Sequence, residues 1–497
     1  MHKMSITKIN GIAKANIQKF NTIVKASVAK VSAVTANFVV YPARTGMHNL
    51  GNEGGDPITC AHPVVTYDAA ADRLVWAYTK HDNTNAGDED HCYILTSPVF
   101  YNPDDWGGGT VSNSADVYEP TPAGQLVSST EARPAAIGYD SNSEICVLVY
   151  MTQESDTATY AMPFKVDTSD YSITLGTQVA LSGSEYNELD MVFDSTNNRF
   201  ITHHNYSWPS GASGDAAANR PYYRHINVTS ASSGGTVQDA SGETVWGPDT
   251  DGGDDTTGSD SYDSGGSNTG LVYAASINRL IFAGNIDSYA KLRCATPNSD
   301  SWSTSQKLLS FGSATNVDSS AHDVSVQWHE GLDIGLVLYQ NSSNHLYCRC
   351  FTVNTSTNAI TLQGGSATAV YAGTVSDYSQ LLYNADSAAQ NFIAQYARTH
   401  SGSDRGHFKQ ISIDSSYNVT VGSEIRHLDL QVEMDRQTVN SFDNSPTTHF
   451  KGAYVPQANQ KGIVMAAQEG GSGGSAGRTY IVWIAYTDDG TYERYEA

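Results

Sequence analysis

From Pro63 onward, short apolar runs alternate with clusters of Asp, Asn, Ser and Ala, and one phrase keeps returning. An aromatic residue closes a strand, a turn follows, and an apolar strand begins. The phrase reads at Tyr67-Asp68 to Leu74-Val75-Trp76-Ala77-Tyr78, at Tyr139-Asp140 to Ile145-Cys146-Val147-Leu148-Val149, and at Phe193-Asp194 to Phe200-Ile201. It returns at Tyr273 to Leu280-Ile281-Phe282, at Trp328 to Ile334-Gly335-Leu336-Val337-Leu338, at Tyr383-Asn384 to Phe392-Ile393, and at Tyr454 to Ile463-Val464-Met465. Runs this short, rich in β-branched and aromatic residues and bounded by turn formers, predict strands, and no helical crossover pattern lies between them. The lead aromatics step by about 64 residues on average. A four-stranded propeller blade needs roughly 40 to 50, and the excess fits long surface loops. The expected fold is therefore all-β, a single β-propeller of about seven blades over residues 63–497. Tandem sandwiches also give many short strands, but they do not explain one phrase at a near-constant step. Residues 37–62 form a connector, within which Phe38-Val39-Val40-Tyr41 is a free apolar strand suited to pair with residues 480–485 and close the ring.

Residues 1–36 follow a different rule. Written in rows of eleven, they give Ile6-Thr-Lys8-Ile9-Asn10-Gly11-Ile12-Ala13-Lys14-Ala15-Asn16, then Ile17-Gln-Lys19-Phe20-Asn21-Thr22-Ile23-Val24-Lys25-Ala26-Ser27, then Val28-Ala-Lys30-Val31-Ser32-Ala33-Val34. Each row presents the same apolar column, Ile6, Ile9, Ile17, Phe20, Val28 and Val31, beside a lysine column, Lys8, Lys19 and Lys30. The apolar steps fit the hendecad of a right-handed helical coil. The abundance of Ile, Val, Ser and Thr, with the turn dipeptide Asn10-Gly11, favours short strands broken by turns instead. About thirty residues make too little core to fold alone, so the arm needs a neighbour to pack on.

Tandem rows of the form I-x-K-[I/F]-N-G-I-A-K-A, opening a Gly-, Ser- and Thr-rich β-protein, resemble the N-terminal segments of structural proteins in tailed bacteriophages, including tail and appendage components. The likeness covers about the first 35 residues. It implies a virion protein made in the host cytoplasm, whose arm docks a distal domain onto other virion proteins, as a homo-oligomer within the particle.

Composition sharpens this division. The chain carries 52 Asp and Glu against 28 Lys and Arg. No acidic residue precedes Glu53, whereas Lys3, Lys8, Lys14, Lys19, Lys25, Lys30 and Arg44 all do, so a basic arm leads into a strongly acidic body. Such a body repels phosphate backbones and anionic headgroups at long range, which argues against nucleic-acid or membrane-surface binding. No run approaches the roughly 20 apolar residues that cross a bilayer. The cysteines, Cys60, Cys92, Cys146, Cys294, Cys348 and Cys350, lack CxxC pairs and read as reduced thiols without a zinc site.

Candidate chemistry is sparse. The aromatic, Asn-rich stretches holding Tyr206, Trp208, Tyr222 and Tyr223 suit stacking on sugar rings, with blade packing as the alternative. The densest oxygen-donor run, with Asp249, Asp251, Asp254 and Asp255 on Gly-bearing chain, is a candidate calcium loop that departs from the EF-hand pattern; no other cofactor is expected. Histidines such as His203-His204 lack metal-site spacing, and neighbours on a strand face opposite ways. No nucleophile elbow or phosphate loop is present, and the sialidase-type S-x-D-x-G-x-T-W turn is met only in fragments at Ser299-Asp300-Ser301-Trp302 and Asp104-Asp105-Trp106-Gly107. The sequence thus predicts a display protein rather than an enzyme, with a propeller-type polysaccharide-degrading enzyme or a free sugar-binding module as the alternatives.

Overall fold

A computed structural model describes residues 8–9, 12–13, 59–82, 89–98, 124–128, 130–152, 158–182, 186–206, 222–228, 237–239, 244–245, 270–286, 289–297, 309–375, 379–385, 391–400, 403–426, 451–455, 462–469 and 478–485. Among these, apart from one 3-10 turn at Ala275–Ile277, all regular structure is strand. Beyond the arm the strands form seven antiparallel sheets, each made of strands consecutive in the chain.

The first strands of the seven sheets are Thr59–Asp68, Ala132–Asp140, Tyr186–Asp194, Gly270–Ala274, His322–His329, Ser379–Asn384 and Lys451–Val455. Each packs against the first strand of the next sheet, and Lys451–Val455 packs against Thr59–Asp68. The contacts therefore run in a closed cycle, the arrangement of a β-propeller, and tandem sandwiches do not produce it. The opening strand begins at Thr59, four residues before the boundary at 63 that the sequence suggests. Phe38–Tyr41 and its ring-closing role lie outside the described residues.

The recurring phrase has a single structural meaning. Tyr67, Tyr139, Phe193, Tyr273, Trp328, Tyr383 and Tyr454 are each the penultimate residue of a first strand. They stand opposite Leu74, Cys146, Phe200, Leu280, Gly335, Phe392 and Ile463 on the second strand of the same sheet. In five sheets a four-residue turn follows, and its last residue is left-handed: Asp72, Glu144, Asn198, Asn278 and Asp333 have φ between 50 and 57°. Four of these five are Asp or Asn, the side chains that best tolerate that region.

The acid after the aromatic holds the turn. Asp68 Oδ1 accepts from the N–H of Ala70 and Ala71, both at 3.0 Å. Asp140 Oδ1 accepts from Asn142 and Ser143 at 2.8 and 3.1 Å, and Asp194 Oδ1 from Thr196 and Asn197 at 3.1 Å. In the fifth sheet His329 Nδ1 takes the acceptor's place for Leu332 N at 3.2 Å. The aromatic of the next sheet then reaches back to that turn. Ala70 N donates to Tyr139 Oη at 3.2 Å, Thr196 Oγ1 bonds Tyr273 Oη, and Trp328 Nε1 donates to Ser276 Oγ at 3.0 Å.

A second repeat lies four residues further along each second strand. Tyr78, Tyr150, His204, Tyr339 and Tyr396 each stack on their cross-strand partner, Tyr93, Tyr160, Tyr222, Tyr347 and His407, at centroid distances of 5.5 to 6.2 Å. Gly284 holds this place in the fourth sheet and Ala467 in the seventh. Second strands are covered on both faces: Ile145–Thr152 and Ile334–Gln340 are buried at every position, which explains their unbroken apolar runs.

In sheets two to five the outer edge is divided, two short strands sharing the third strand between them. Ile173–Leu175 and Val179–Ser182 both pair with Ala158–Val166, for example. In the arm, Lys8–Ile9 pairs antiparallel with Ile12–Ala13, the strand form that the residue types favour over a helical hendecad; the rest of the arm, including Ile6, Ile17, Lys19, Phe20, Val28, Lys30 and Val31, lies outside the described residues.

Asp140→Ala leaves two turn N–H groups and Ser143 Oγ without their acceptor. The expected cost is about 1–3 kcal/mol in chemical denaturation. A change below about 0.5 kcal/mol would show that backbone geometry alone holds the turn.

Candidate functional site

The third sheet carries three of the sequence-predicted candidates. Tyr206 ends its second strand, Arg199–Tyr206, and Tyr222 opens its third, Tyr222–Val228, so the two flank one connection at one end of the sheet. The Tyr222 ring is half-buried and stacks on His204 at 6.1 Å. Tyr223 is not a surface contact: it is 2% exposed, wedged between Phe282 at 6.0 Å and Phe311 at 5.5 Å. The alternation of a strand explains this correction, because neighbours in sequence face opposite sides and only one of the two tyrosines turns away from the fourth sheet. Trp208 and the candidate calcium ligands Asp249, Asp251, Asp254 and Asp255 lie outside the described residues. Among the described residues no three His, Cys, Asp or Glu side chains gather around a point that a metal ion would occupy.

Titratable side chains that sequence reasoning left as scattered instead converge on the seam between the third and fourth sheets. His203 and His204 face opposite ways. His204 bonds Thr202 Oγ1 at 3.2 Å on the side of the second sheet, while His203 turns to the fourth, its edge on Phe282 at 5.5 Å and its Nδ1 bonded to Gly270 O at 3.1 Å. Asp190, opposite His203 on the first strand, accepts from Leu271 N at 3.1 Å. His225, opposite Ile201, lies against Tyr223 at 5.6 Å. Below them Arg199 Nε approaches Asp194 Oδ2 at 3.6 Å, both side chains buried. Burial pushes both His203 and His225 down to about 3; for His225 the nearby Arg199 adds to this, while for His203 the Gly270 carbonyl acts against it. Both imidazoles are therefore neutral at pH 7. The sequence signal is the three polar residues Asn187, Glu188 and Asp190 in a first strand otherwise expected to be apolar.

A second cluster joins the fifth and sixth sheets. Glu424 accepts from Arg398 Nη2 and from Tyr396 Oη, both at 2.5 Å, with His407 Nδ1 at 3.5 Å. Arg398 and Lys409 lie 5.2 and 5.8 Å from the ring centre of Tyr371 on the fifth sheet. Burial opposes the Glu424 charge, but the bonds from Arg398 and Tyr396 outweigh it and hold the carboxyl below its ordinary range. Burial, reinforced by that carboxylate, pushes the Tyr396 phenol up. An ionised Glu clamped by Arg and a phenol that keeps its proton make a strong strut between strands. Of the cysteines, Cys92, Cys146, Cys294, Cys348 and Cys350 are buried free thiols; burial pushes Cys294 and Cys350 up to about 12.

No family model and no curated protein matches the sequence. Among solved structures the fold is similar to a Hadza microbial sialidase, at 9% identity and TM-score 0.42, over 86% of this chain and 66% of that one. It is similar to a putative 6-phosphogluconolactonase from Bacteroides fragilis NCTC 9343, at 8% identity and TM-score 0.43, over 81% and 92%. It is similar also to Trypanosoma rangeli sialidase in complex with sialic acid, at 9% identity and TM-score 0.43, over 73% and 56%. The chain spans under two thirds of the length of either sialidase. Likenesses at this level transfer no activity.

Glu424→Gln keeps the shape and removes the charge facing Arg398. Its expected cost is about 1 kcal/mol at pH 7, because the pair is partly screened by solvent. A carboxyl held low stabilises the fold above its unfolded pKa and loses that contribution as pH falls through its folded one, so variant and parent should converge in acid. Melting curves across pH 2.5–7 test this, and a gap that persists at the acid end would contradict it.

Proposed function

We propose that this chain is a structural protein of a tailed bacteriophage virion, anchored through residues 1–36 and displaying a seven-bladed propeller as scaffold or as contact to host-surface glycans. The observation that carries the reading is the arm: three near-identical rows of one apolar and one lysine column, whose first row pairs Lys8–Ile9 with Ile12–Ala13. A repeat that presents one apolar face and cannot bury it alone is built for a partner. The seven lead aromatics at equivalent positions support the blade count. The acidic body supports display, since it resists nonspecific adsorption to nucleic acid and anionic membranes.

On this reading the lysine column meets acidic surface on another virion protein or another copy of the chain, and the Ile/Val column is covered there. Three buried aliphatic or aromatic side chains contribute roughly 1.5–3 kcal/mol each to such docking. Replacing Ile9, Phe20 and Val31 together with Asp is expected to cut incorporation into particles by more than about tenfold. The melting temperature of the body should stay within about 2 °C of the parent. Unchanged incorporation would overturn the anchoring role. Unfolding of the body would instead make the arm part of the ring's own core.

A further inference from the structure

The seams between sheets are not alike. Between the fourth and fifth sheets the buried face is Ala283, Leu292, Val326, Val337 and their neighbours, and between the fifth and sixth it is Leu336, Leu381, Phe392 and Ile411 with theirs. The seam between the third and fourth sheets has a smaller apolar cluster, centred on Ile201, Tyr223, Leu280 and Phe282. Into the same seam the third sheet directs Asp190, Asp194, Arg199, His203 and His225, the last two without solvent exposure. Two of the bonds that cross it come from these groups: His203 Nδ1 to Gly270 O and Leu271 N to Asp190 Oδ2, each to the backbone of the strand Gly270–Ala274.

We propose that this seam is an acid-sensitive joint, at which proton uptake by His203 and His225 loosens strand Gly270–Ala274 from the third sheet while the apolar seam between the first and second sheets stays closed. The two imidazoles are diagonal neighbours on one face, since His203 stands opposite Tyr223 and Ile201 opposite His225. A proton added to each places two positive charges side by side in a shielded seam. The charged groups facing them are mostly of the same sign. Arg199 lies beside His225, and Lys291 and Arg293 share the face of Phe282 on the fourth sheet, where Arg293 covers Phe311 at 4.7 Å. Asp194 is engaged by Arg199, and Asp190 by two backbone N–H groups, Met191 and Leu271. A closed ring with such a seam opens there before it opens between the first and second or the fourth and fifth sheets, where the buried clusters are apolar contacts that no proton removes.

The sign follows from linkage. Both histidines bind a proton more readily when exposed than when buried, so opening is favoured as pH falls below the unfolded value of about 6.5. At pH 5.5 each contributes about tenfold to the opening equilibrium, and the pair about a hundredfold. Hydrogen exchange of the full chain at pH 7.5 and 5.5, corrected for intrinsic rates, reads this directly. The Gly270–Ala274 amides should lose protection at pH 5.5 by that factor, while the Ala132–Asp140 amides should not. His203→Asn with His225→Phe should abolish the difference, and Asp190→Asn should retain it. Equal loss in all first strands, or a pH response that survives in the double histidine variant, overturns the proposal. Should the double variant fail to fold, the comparison of strands in the unmodified protein decides alone.

Discussion

A ring of sheets holds together only if each sheet recognises the next at a fixed height, and at three of the seams that recognition includes an aromatic side chain with a polar handle bonding the preceding turn. Tyr139 reaches the Ala70 turn, Tyr273 the Thr196 turn, and Trp328 the Ser276 turn. In the first two of these an Asp one residue past the previous aromatic has already fixed the turn through two N–H groups, and in the third Glu330 accepts from the N–H groups of Ala275 and Ser276. Local turn chemistry and long-range register are therefore one device. The apolar second strands supply most of the burial, but burial is non-directional and tolerates sliding. The turn bonds remove that freedom.

Much of this was legible in the chain because the device is written in it at a regular place. The penultimate aromatic, followed in three sheets by Asp, and the turn rich in Asp, Asn and Ser form a pattern that needs no tertiary information, so the strands, their pairing into hairpins and the repeated unit could be read directly. Closure of the ring was an inference from repetition alone, and the packing of Lys451–Val455 on Thr59–Asp68 accords with it. What could not be read was which face each strand turns to its neighbour. Tyr222 and Tyr223 look equivalent as residues, yet one stacks on His204 at the seam with the second sheet and the other fills the seam with the fourth. His203 and His225 are far apart in sequence and meet only because two strands pair in one register. The Glu424 strut escaped notice for the same reason: Arg398, His407 and Glu424 lie on three successive strands whose alignment is set by a hairpin, not by spacing along any one of them.

Several titratable groups of the described body are tied into the packing between strands. Glu424 is fixed by Arg398 and Tyr396, Asp190 by backbone N–H groups, and the buried histidines are held neutral. Polar residues placed between sheets specify alignment at some cost in burial, and a propeller has as many such alignments to specify as it has seams.

The divided outer edges of sheets two to five have a consequence for crowding. An uninterrupted outermost strand offers a row of free N–H and C=O groups on which a second molecule can continue the sheet. Where two short strands such as Ile173–Leu175 and Val179–Ser182 share one partner, that row is broken midway and each fragment is too brief to template an added strand. Copies held close together on one surface are then kept from fusing rim to rim at these four sheets.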